Sequence, residues 1–163
     1  MNRKKWLILV LVFVCTLVMV GCNNTTPDIT ESVSTELHVF NRVSHSDVVG
    51  IQLEVARICK YADKTTLVVS WNNTTEHMVT YGKMYWIERL ENGEWVDCSL
   101  NENVFPAIGY LLNVNTAVQE EYILTNMYDV SIPGTYRFLS SCSVDMGDEK
   151  PTECSVWSEF VVE

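Results

Sequence analysis

The chain has 163 residues, with 21 acidic side chains against 11 basic ones and a net charge of −10 at pH 7. This length allows one domain and is short for two. A surface this acidic repels phosphate backbones and anionic lipid headgroups, so the composition argues against a nucleic-acid-binding protein.

The N-terminus has the organisation of an export signal. A basic start, Arg3-Lys4-Lys5, precedes a near-continuous apolar run over residues 6–20, and this run is shorter than the roughly 20 residues that a membrane-spanning helix needs. Met19-Val20-Gly21-Cys22 resembles the lipobox of bacterial lipoprotein signal peptides, in which the peptide is cut before the cysteine and the cysteine is acylated. Residues 1–21 are therefore predicted to be a lipoprotein signal peptide and Cys22 the lipid attachment residue; an uncleaved membrane anchor is the alternative.

Cleavage before Cys22 removes no acidic residue and leaves 8 basic against 21 acidic side chains, a net charge of −13. The mature chain is then predicted to be held at the extracytoplasmic face of the cell membrane through its N-terminal lipid. Residues 22–47 are rich in Ser, Thr and Asn and are predicted to be a flexible tether. The folded domain is expected to comprise residues 48–163.

From Gly50 onwards, apolar and polar side chains alternate with period 2, which is typical of half-buried β-strands. The alternation recurs, with turn-forming residues between the segments, at residues 51–56, 66–71, 118–124, 136–139 and 156–162. A short strand near residues 78–80 and a hairpin complete about seven strands, and the residues between 99 and 116 are irregular. This pattern predicts an all-β fold, a sandwich of two sheets.

The strongest turn signal in the chain is Asn92-Gly93, because both residues tolerate the positive φ of a tight hairpin turn. Two registers of this hairpin remain open. A two-residue turn places Glu91 opposite Glu94 and Glu88 opposite Asp97, which sets like charges against each other. A three-residue turn avoids both pairs.

Five short motifs lie between residues 50 and 162: Trp71-Asn72-Asn73, Tyr81-Gly82, residues 87–96, Phe105-Pro106-Ala107-Ile108 and Pro133-Gly134-Thr135-Tyr136-Arg137. Together they resemble a bacterial immunoglobulin-like domain family found in many lipoproteins. The resemblance implies an immunoglobulin-like β-sandwich without a catalytic motif. It also implies that Tyr136 is the tyrosine corner of such a sandwich. Met84 and Trp86 depart from the family pattern, in which these positions are usually polar.

Cysteine chemistry follows from the predicted export, because disulfides persist outside the cytoplasm. Apart from Cys22 and the cysteine in the signal segment, the chain has Cys59, Cys98, Cys142 and Cys154. Cys142 and Cys154 each share the parity of the apolar residues in their strands, which favours a cross-strand disulfide; two buried thiols are the alternative. A bridge between Cys59 and Cys98 follows only by elimination and remains open. No metal site is predicted, since no cysteine has the spacing of a metal ligand.

The sequence predicts a binding role, with no catalytic residues, no metal and no cofactor. No serine lies in a Gly-x-Ser-x-Gly motif, and no nucleophile–base pair is readable. If Tyr85, Ile87 and Val96 face the core, Met84 and Trp86 face outward and are candidate contact residues, because aromatic side chains dominate binding hot spots. Alternatively, a loop or the tether covers Trp86.

The expected partner of this module is another envelope protein, a surface glycan or a host component. The acidic loop over residues 145–150 is a second candidate contact region. The alternative function is structural, as a spacer or an accessory subunit of an envelope complex.

Overall fold

The computed structural model describes residues 35–37, 40–148 and 150–163. These residues form ten strands: β1 (Thr35–Leu37), β2 (Phe40–Ser46), β3 (Ile51–Tyr61), β4 (Lys64–Asn73), β5 (Val79–Glu91), β6 (Glu94–Asp97), β7 (Gly109–Leu112), β8 (Thr116–Ile123), β9 (Gly134–Val144) and β10 (Thr152–Val162). Within these ranges no helix is long and apolar enough to span a bilayer. The predicted signal peptide (1–21), the lipid attachment residue Cys22 and the first part of the predicted tether lie outside the described residues.

The strands form two antiparallel sheets that pack as a sandwich. The four-stranded sheet has the order β1-β3-β4-β8, and the six-stranded sheet has the order β2-β10-β9-β5-β6, with β7 also paired to β5. The prediction of an all-β, two-sheet sandwich is confirmed. The strand count exceeds the expected seven because β1 and β2 lie in the segment predicted to be the tether, and β7 lies in the segment predicted to be irregular.

The folded region begins earlier than the sequence analysis predicted. Residues 40–46 were assigned to the tether, yet they form β2 and pair with β10 along the edge of the six-stranded sheet. Residues 35–37 form β1 and pair with the end of β3. The tether boundary at residue 47 is therefore wrong. Polar composition was misleading here, because an edge strand depends on backbone hydrogen bonds that composition does not register.

Alternating side chains from both sheets fill the core, as the period-2 pattern predicted. In β3, Ile51, Leu53 and Val55 are buried, whereas Gln52 and Glu54 are exposed. Polar groups inside the core are paired as well. The indole N–H of the fully buried Trp71 donates a hydrogen bond to the hydroxyl of Tyr122, 3.0 Å away across the four-stranded sheet.

Asn73, the last residue of β4, joins the loops at one end of the sandwich. Its side chain is fully buried, and its Nδ2 lies 2.8, 3.3 and 3.1 Å from the carbonyl oxygens of His77, Leu112 and Asn113. Its Oδ1 accepts hydrogen bonds from the backbone N–H and the hydroxyl of Thr75, at 2.9 and 2.7 Å. One amide group therefore ties the β4–β5 loop to the β7–β8 turn.

The opposite end of the sandwich contains the tyrosine corner that the resemblance implied. The hydroxyl of Tyr136 donates to the carbonyl of Ile132 at 2.5 Å, across the intervening Pro133-Gly134. The tyrosine ring itself is buried and stacks on Phe160. This contact holds the connection that leads into β9 against the body of the sandwich.

The hairpin at Asn92-Gly93 adopts the two-residue register, with φ of 52° and 90° at its two turn residues. This register opposes the like charges that the sequence analysis identified as unfavourable. Two arginines compensate for them: Arg89 forms an ion pair with Glu91, and Arg137 forms one with Glu88. Because one carboxylate of each opposing pair is neutralised, the turn geometry that Asn-Gly favours can be adopted.

β5 has a bulge, a register shift against β9 between Tyr81 and Tyr85, and side chains at this bulge contact the other sheet. Within this bulge Lys83 reaches β8 of the other sheet and forms an ion pair with Glu120. The hydroxyl of Tyr85 donates to the carbonyl of Ile123 on β8. These side chains occupy backbone and carboxylate groups along the edge of β8, so that side of the sandwich is closed.

The pKa values of the side chains at this edge depend on burial and on hydrogen bonding. Burial first, and then the hydrogen bond to Glu120, raise the pKa of Tyr81 well above its usual range. Burial also acts to raise the pKa of Glu120, but hydrogen bonds from Lys83 and Tyr81 outweigh it and hold that pKa below its ordinary value. The edge therefore favours a carboxylate on Glu120 beside a protonated tyrosine.

The structure contains a disulfide between Cys142 and Cys154, which lie opposite each other on β9 and β10 with their Cα atoms 5.3 Å apart. Cys59 and Cys98 are partly buried free thiols, so the second bridge that the sequence left open is not formed. Burial raises the pKa of Cys98 to about 11.

Candidate binding face on the six-stranded sheet

Three tryptophans from separate strands meet on the outer face of the six-stranded sheet. Trp86 lies on β5, Trp95 on β6 and Trp157 on β10, and all three have the parity that points away from the core. Arg137 and Leu139 of β9 lie between them. We call these five residues the aromatic face.

Strand register aligns the aromatic face into rows. Trp86 lies opposite Leu139, Leu139 lies opposite Trp157, and Trp157 lies opposite His45 on the edge strand β2. The rings of Trp157 and His45 are stacked with their centroids 5.2 Å apart. An apolar row therefore crosses four strands of the sheet.

Arg137 holds the centre of the aromatic face. Its guanidinium carbon lies 4.5 Å from the ring centroid of Trp95 and 5.9 Å from that of Trp157. Its Nε forms an ion pair with Glu88, the residue opposite it on β5, while Glu159 lies opposite on β10. Stacking on Trp95 and the ion pair with Glu88 both restrain the side chain of Arg137.

Both predicted contact residues lie on this side of the molecule and are exposed. Trp86 is 42% exposed and Met84 is 47% exposed, while Tyr85 and Ile87 between and beside them are buried. Val96 was expected to face the core but is 42% exposed. The expectation was wrong because β6 is a four-residue edge strand, and the opposite sheet does not cover it.

Sequence reasoning missed most of the aromatic face. Trp95 was not among the predicted contact residues, yet it is only partly buried and stacks with Arg137. Trp157 was not singled out, although its parity is opposite to that of the buried Val156 and Phe160 and marks it as outward. The Asn92-Gly93 turn indicates that β5 and β6 are neighbours, and the predicted disulfide indicates the same for β9 and β10. No signal in the sequence places β9 beside β5, so the grouping of all three tryptophans was not predictable.

The surroundings of the aromatic face are acidic. Of the strand residues whose side chains the structure describes on this outer surface, the acidic ones are four carboxylic acids and the basic one is an arginine. The acids are Glu88, Asp97, Glu153 and Glu159. Asp97 lies opposite Glu88, so the carboxylates continue onto the edge strand β6.

A separate cavity of about 260 Å³ lies where β2 meets the outer side of the four-stranded sheet. Its lining is mainly polar and contains Ser44, Gln52, Glu54, Ser70 and Asn72, with no histidine, cysteine or lysine. A serine in this cavity therefore has no imidazole or amine among the lining residues to take its proton. Within the described residues, no three potential metal ligands are grouped together.

The two packed antiparallel sheets and the tyrosine corner are those of a β-sandwich of the immunoglobulin-like class. The sequence model of the family described as "Bacterial Ig-like domain" matches residues 47–155, and the chain belongs to this family. Domains of this class are typically non-catalytic binding or structural modules. No curated protein sequence matches the chain.

Proposed function

We propose that this protein is a lipid-anchored, extracytoplasmic binding module without catalytic activity, and that the aromatic face is its contact surface. The observation that carries the proposal is the exposure of Trp86 on the outer face of the six-stranded sheet. A tryptophan that is 42% exposed on a sheet leaves a large apolar area in water. Such an area gains free energy when a partner covers it.

The order of the aromatic face supports this role. Tryptophan and arginine are among the residues most enriched at binding hot spots, and here Arg137 lies 4.5 Å from the ring of Trp95 and 5.9 Å from that of Trp157. Side chains that are fixed before binding lose little conformational entropy on association. A surface that served only as a spacer has no need of this arrangement.

The absence of catalysis is proposed on the chemistry of the side chains. The lining of the polar cavity near β2 contains serines and one carboxylate, but no histidine or lysine that could take the proton of a hydroxyl. The residues of the aromatic face offer stacking and ion pairing, and the guanidinium of Arg137 is already paired with Glu88. These groups suit recognition rather than bond cleavage.

Lipid attachment at Cys22 is supported by the resemblance of residues 19–22 to a lipobox. It is tested by growing cells with a clickable fatty-acid analogue and comparing the wild type with Cys22→Ala. The wild type should carry the label and sediment with membranes, whereas the variant should carry none. Cys15→Ala is the matched control and should label normally. Equal labelling of wild type and Cys22→Ala would overturn the anchor.

The contact surface is tested by photo-crosslinking in intact cells with the tagged full-length chain. The crosslinking amino acid replaces Met84, which is 47% exposed, or Ile123, which is 49% exposed and lies on the four-stranded sheet. We expect one product that forms from position 84 and not from position 123. Trp86→Ala should abolish it, while Tyr61→Ala, which removes an aromatic residue exposed to a similar 46%, should not.

Equal crosslinking from both positions, or a product that persists in Trp86→Ala, would reject the aromatic face as the contact surface. No product from either position would support the structural alternative, a spacer or an accessory subunit.

A further inference from the structure

We infer that the partner of the aromatic face is a basic polypeptide segment, with a lysine or arginine side chain seated over the indole of Trp86. This inference rests on the proposed function and adds the chemistry of the ligand. It follows from three observations: the aromatic face already binds a cation, Trp86 is exposed with no described cation over its ring, and the surroundings are acidic.

The aromatic face holds one cation of its own. The guanidinium of Arg137 lies 4.5 Å from the ring of Trp95 and 5.9 Å from the ring of Trp157, and Glu88 is its counter-ion. Two indole rings and a neighbouring carboxylate therefore already bind one cationic side chain on this surface. Tryptophan is the aromatic residue that attracts cations most strongly.

Trp86 lies one register row away from this site, beside Leu139 of β9. It precedes Glu88 by two residues on the same face of β5, and Asp97 of β6 lies opposite Glu88 in the adjacent row. Its indole is 42% exposed. Among the described contacts, both cation–ring pairs of this face belong to Arg137, and neither involves Trp86. Since Glu88 is already paired with Arg137, a cation from a partner finds here an exposed indole ring and the nearby carboxylate of Asp97.

Charge selects among the classes of partner. Among the described side chains of this outer surface, four carboxylates against one arginine repel anionic polymers and anionic lipid surfaces. A second copy of the chain would place the same carboxylates against each other, which disfavours a dimer through this face. A neutral glycan stacks on tryptophan but gains nothing from the surplus negative charge. A basic segment is complementary to both features.

The test uses the full-length protein in a neutral detergent and follows the indole N–H signals by NMR, with that of Trp86 assigned by its loss in Trp86→Phe. The probes are an end-blocked Gly-Arg-Gly-Arg-Gly peptide, the same peptide with citrulline for arginine, and chitotetraose. Citrulline keeps the shape of arginine and lacks its charge, so it isolates the contribution of the cation.

We expect the arginine peptide at millimolar concentration to shift the Trp86 signal and the citrulline peptide to leave it unchanged. Raising the salt from about 0.05 M to about 0.5 M should weaken binding by about fivefold. Asp97→Asn should weaken it severalfold, whereas Glu121→Gln, which neutralises an exposed acid on the other sheet, should not.

Equal shifts from the arginine and citrulline peptides, or a salt-independent shift with chitotetraose, would overturn the basic ligand and favour a neutral one. Sedimentation that shows a dimer lost on Trp86→Ala would overturn it in favour of a second copy. If neither peptide shifts Trp86 while crosslinking from position 84 still gives its product, the inference fails and the binding function stands. If the crosslinking product is absent as well, both fail.

Discussion

Replacing Asn73 with alanine should strongly destabilise the domain. The side chain is fully buried, and its amide contacts three carbonyl oxygens and the N–H and hydroxyl of Thr75. A buried polar group left without its partner costs about 1–3 kcal/mol. Water entering the vacated space satisfies some of these groups, so we expect a loss of about 3–5 kcal/mol.

A loss of this size is a large part of the about 5–15 kcal/mol by which domains are stable, and corresponds to a decrease in melting temperature of about 10–20 °C. Urea unfolding followed by tryptophan fluorescence measures it directly. Asn72→Ala is the matched control, because Asn72 is the same residue type one position earlier and is only partly buried. It should change stability by no more than about 0.5 kcal/mol.

A second substitution separates hydrogen bonding from simple loss of volume. Asn73→Asp keeps the shape but places a buried carboxylate against three carbonyl oxygens, which raises the pKa of the new acid in the folded state above its unfolded value of about 3.9. Stability from the protonated form is then present below the unfolded pKa and is lost as pH rises through the folded pKa. Asn73→Asp should therefore recover relative to Asn73→Ala between about pH 7 and pH 4.

Two results would refute this reasoning. If Asn73→Ala and Asn72→Ala lower the urea midpoint equally, the buried amide does not tie the two loops together. If Asn73→Asp keeps the same deficit relative to Asn73→Ala at both pH values, the carboxylate does not face the carbonyl groups as described.

Three further predictions concern the cysteines and the closed edge of the sandwich. The Cys142→Ser/Cys154→Ser double variant should lose about 3 kcal/mol of unfolding free energy, because the disulfide closes a loop with a sequence separation of 12. An unchanged urea midpoint would contradict this prediction. Cys98 has a pKa raised to about 11, so it should react with iodoacetamide at pH 8 roughly tenfold more slowly in the folded than in the unfolded chain. The folded chain has a smaller fraction of thiolate, and the higher nucleophilicity of that thiolate offsets only part of this loss. Equal reaction rates, followed by mass spectrometry, would exclude the shift in pKa. Glu120 has a lowered pKa, so its stabilisation is present above the unfolded pKa and lost as pH falls through the folded pKa. Glu120→Gln should therefore be less stable than the wild type near pH 7 and equal to it in acid; a gap that stays constant with pH in urea titrations would count against the ion pair with Lys83.

The alternation of side chains determined the main strands and their buried faces. Trp71 and Phe160 were predictable as core residues from their parity alone, because each strand that covers a core buries every second residue. The parity of Cys142 and Cys154 likewise pointed to one side of adjacent strands, and the structure places them opposite each other. These features depend only on residues close together in sequence.

Edge strands were less predictable. The polar segment that forms β2 resembles a tether in composition, and its pairing with β10 joins residues more than 100 positions apart. Val96 has inward parity, but the opposite sheet does not reach β6. Parity describes which side of a strand a residue lies on, whereas burial also requires that another part of the protein packs against that side.

The sequence by itself determined the fold class, the main core residues and an outward-facing Trp86. Only the tertiary structure decided the hairpin register, because Arg137 neutralises Glu88 from a strand that follows much later in the chain. The same long-range pairing brought Trp95 and Trp157 to the same surface. Local pattern specifies the direction in which a side chain points, while its neighbours across the sheet depend on strand order, which only the packed chain establishes.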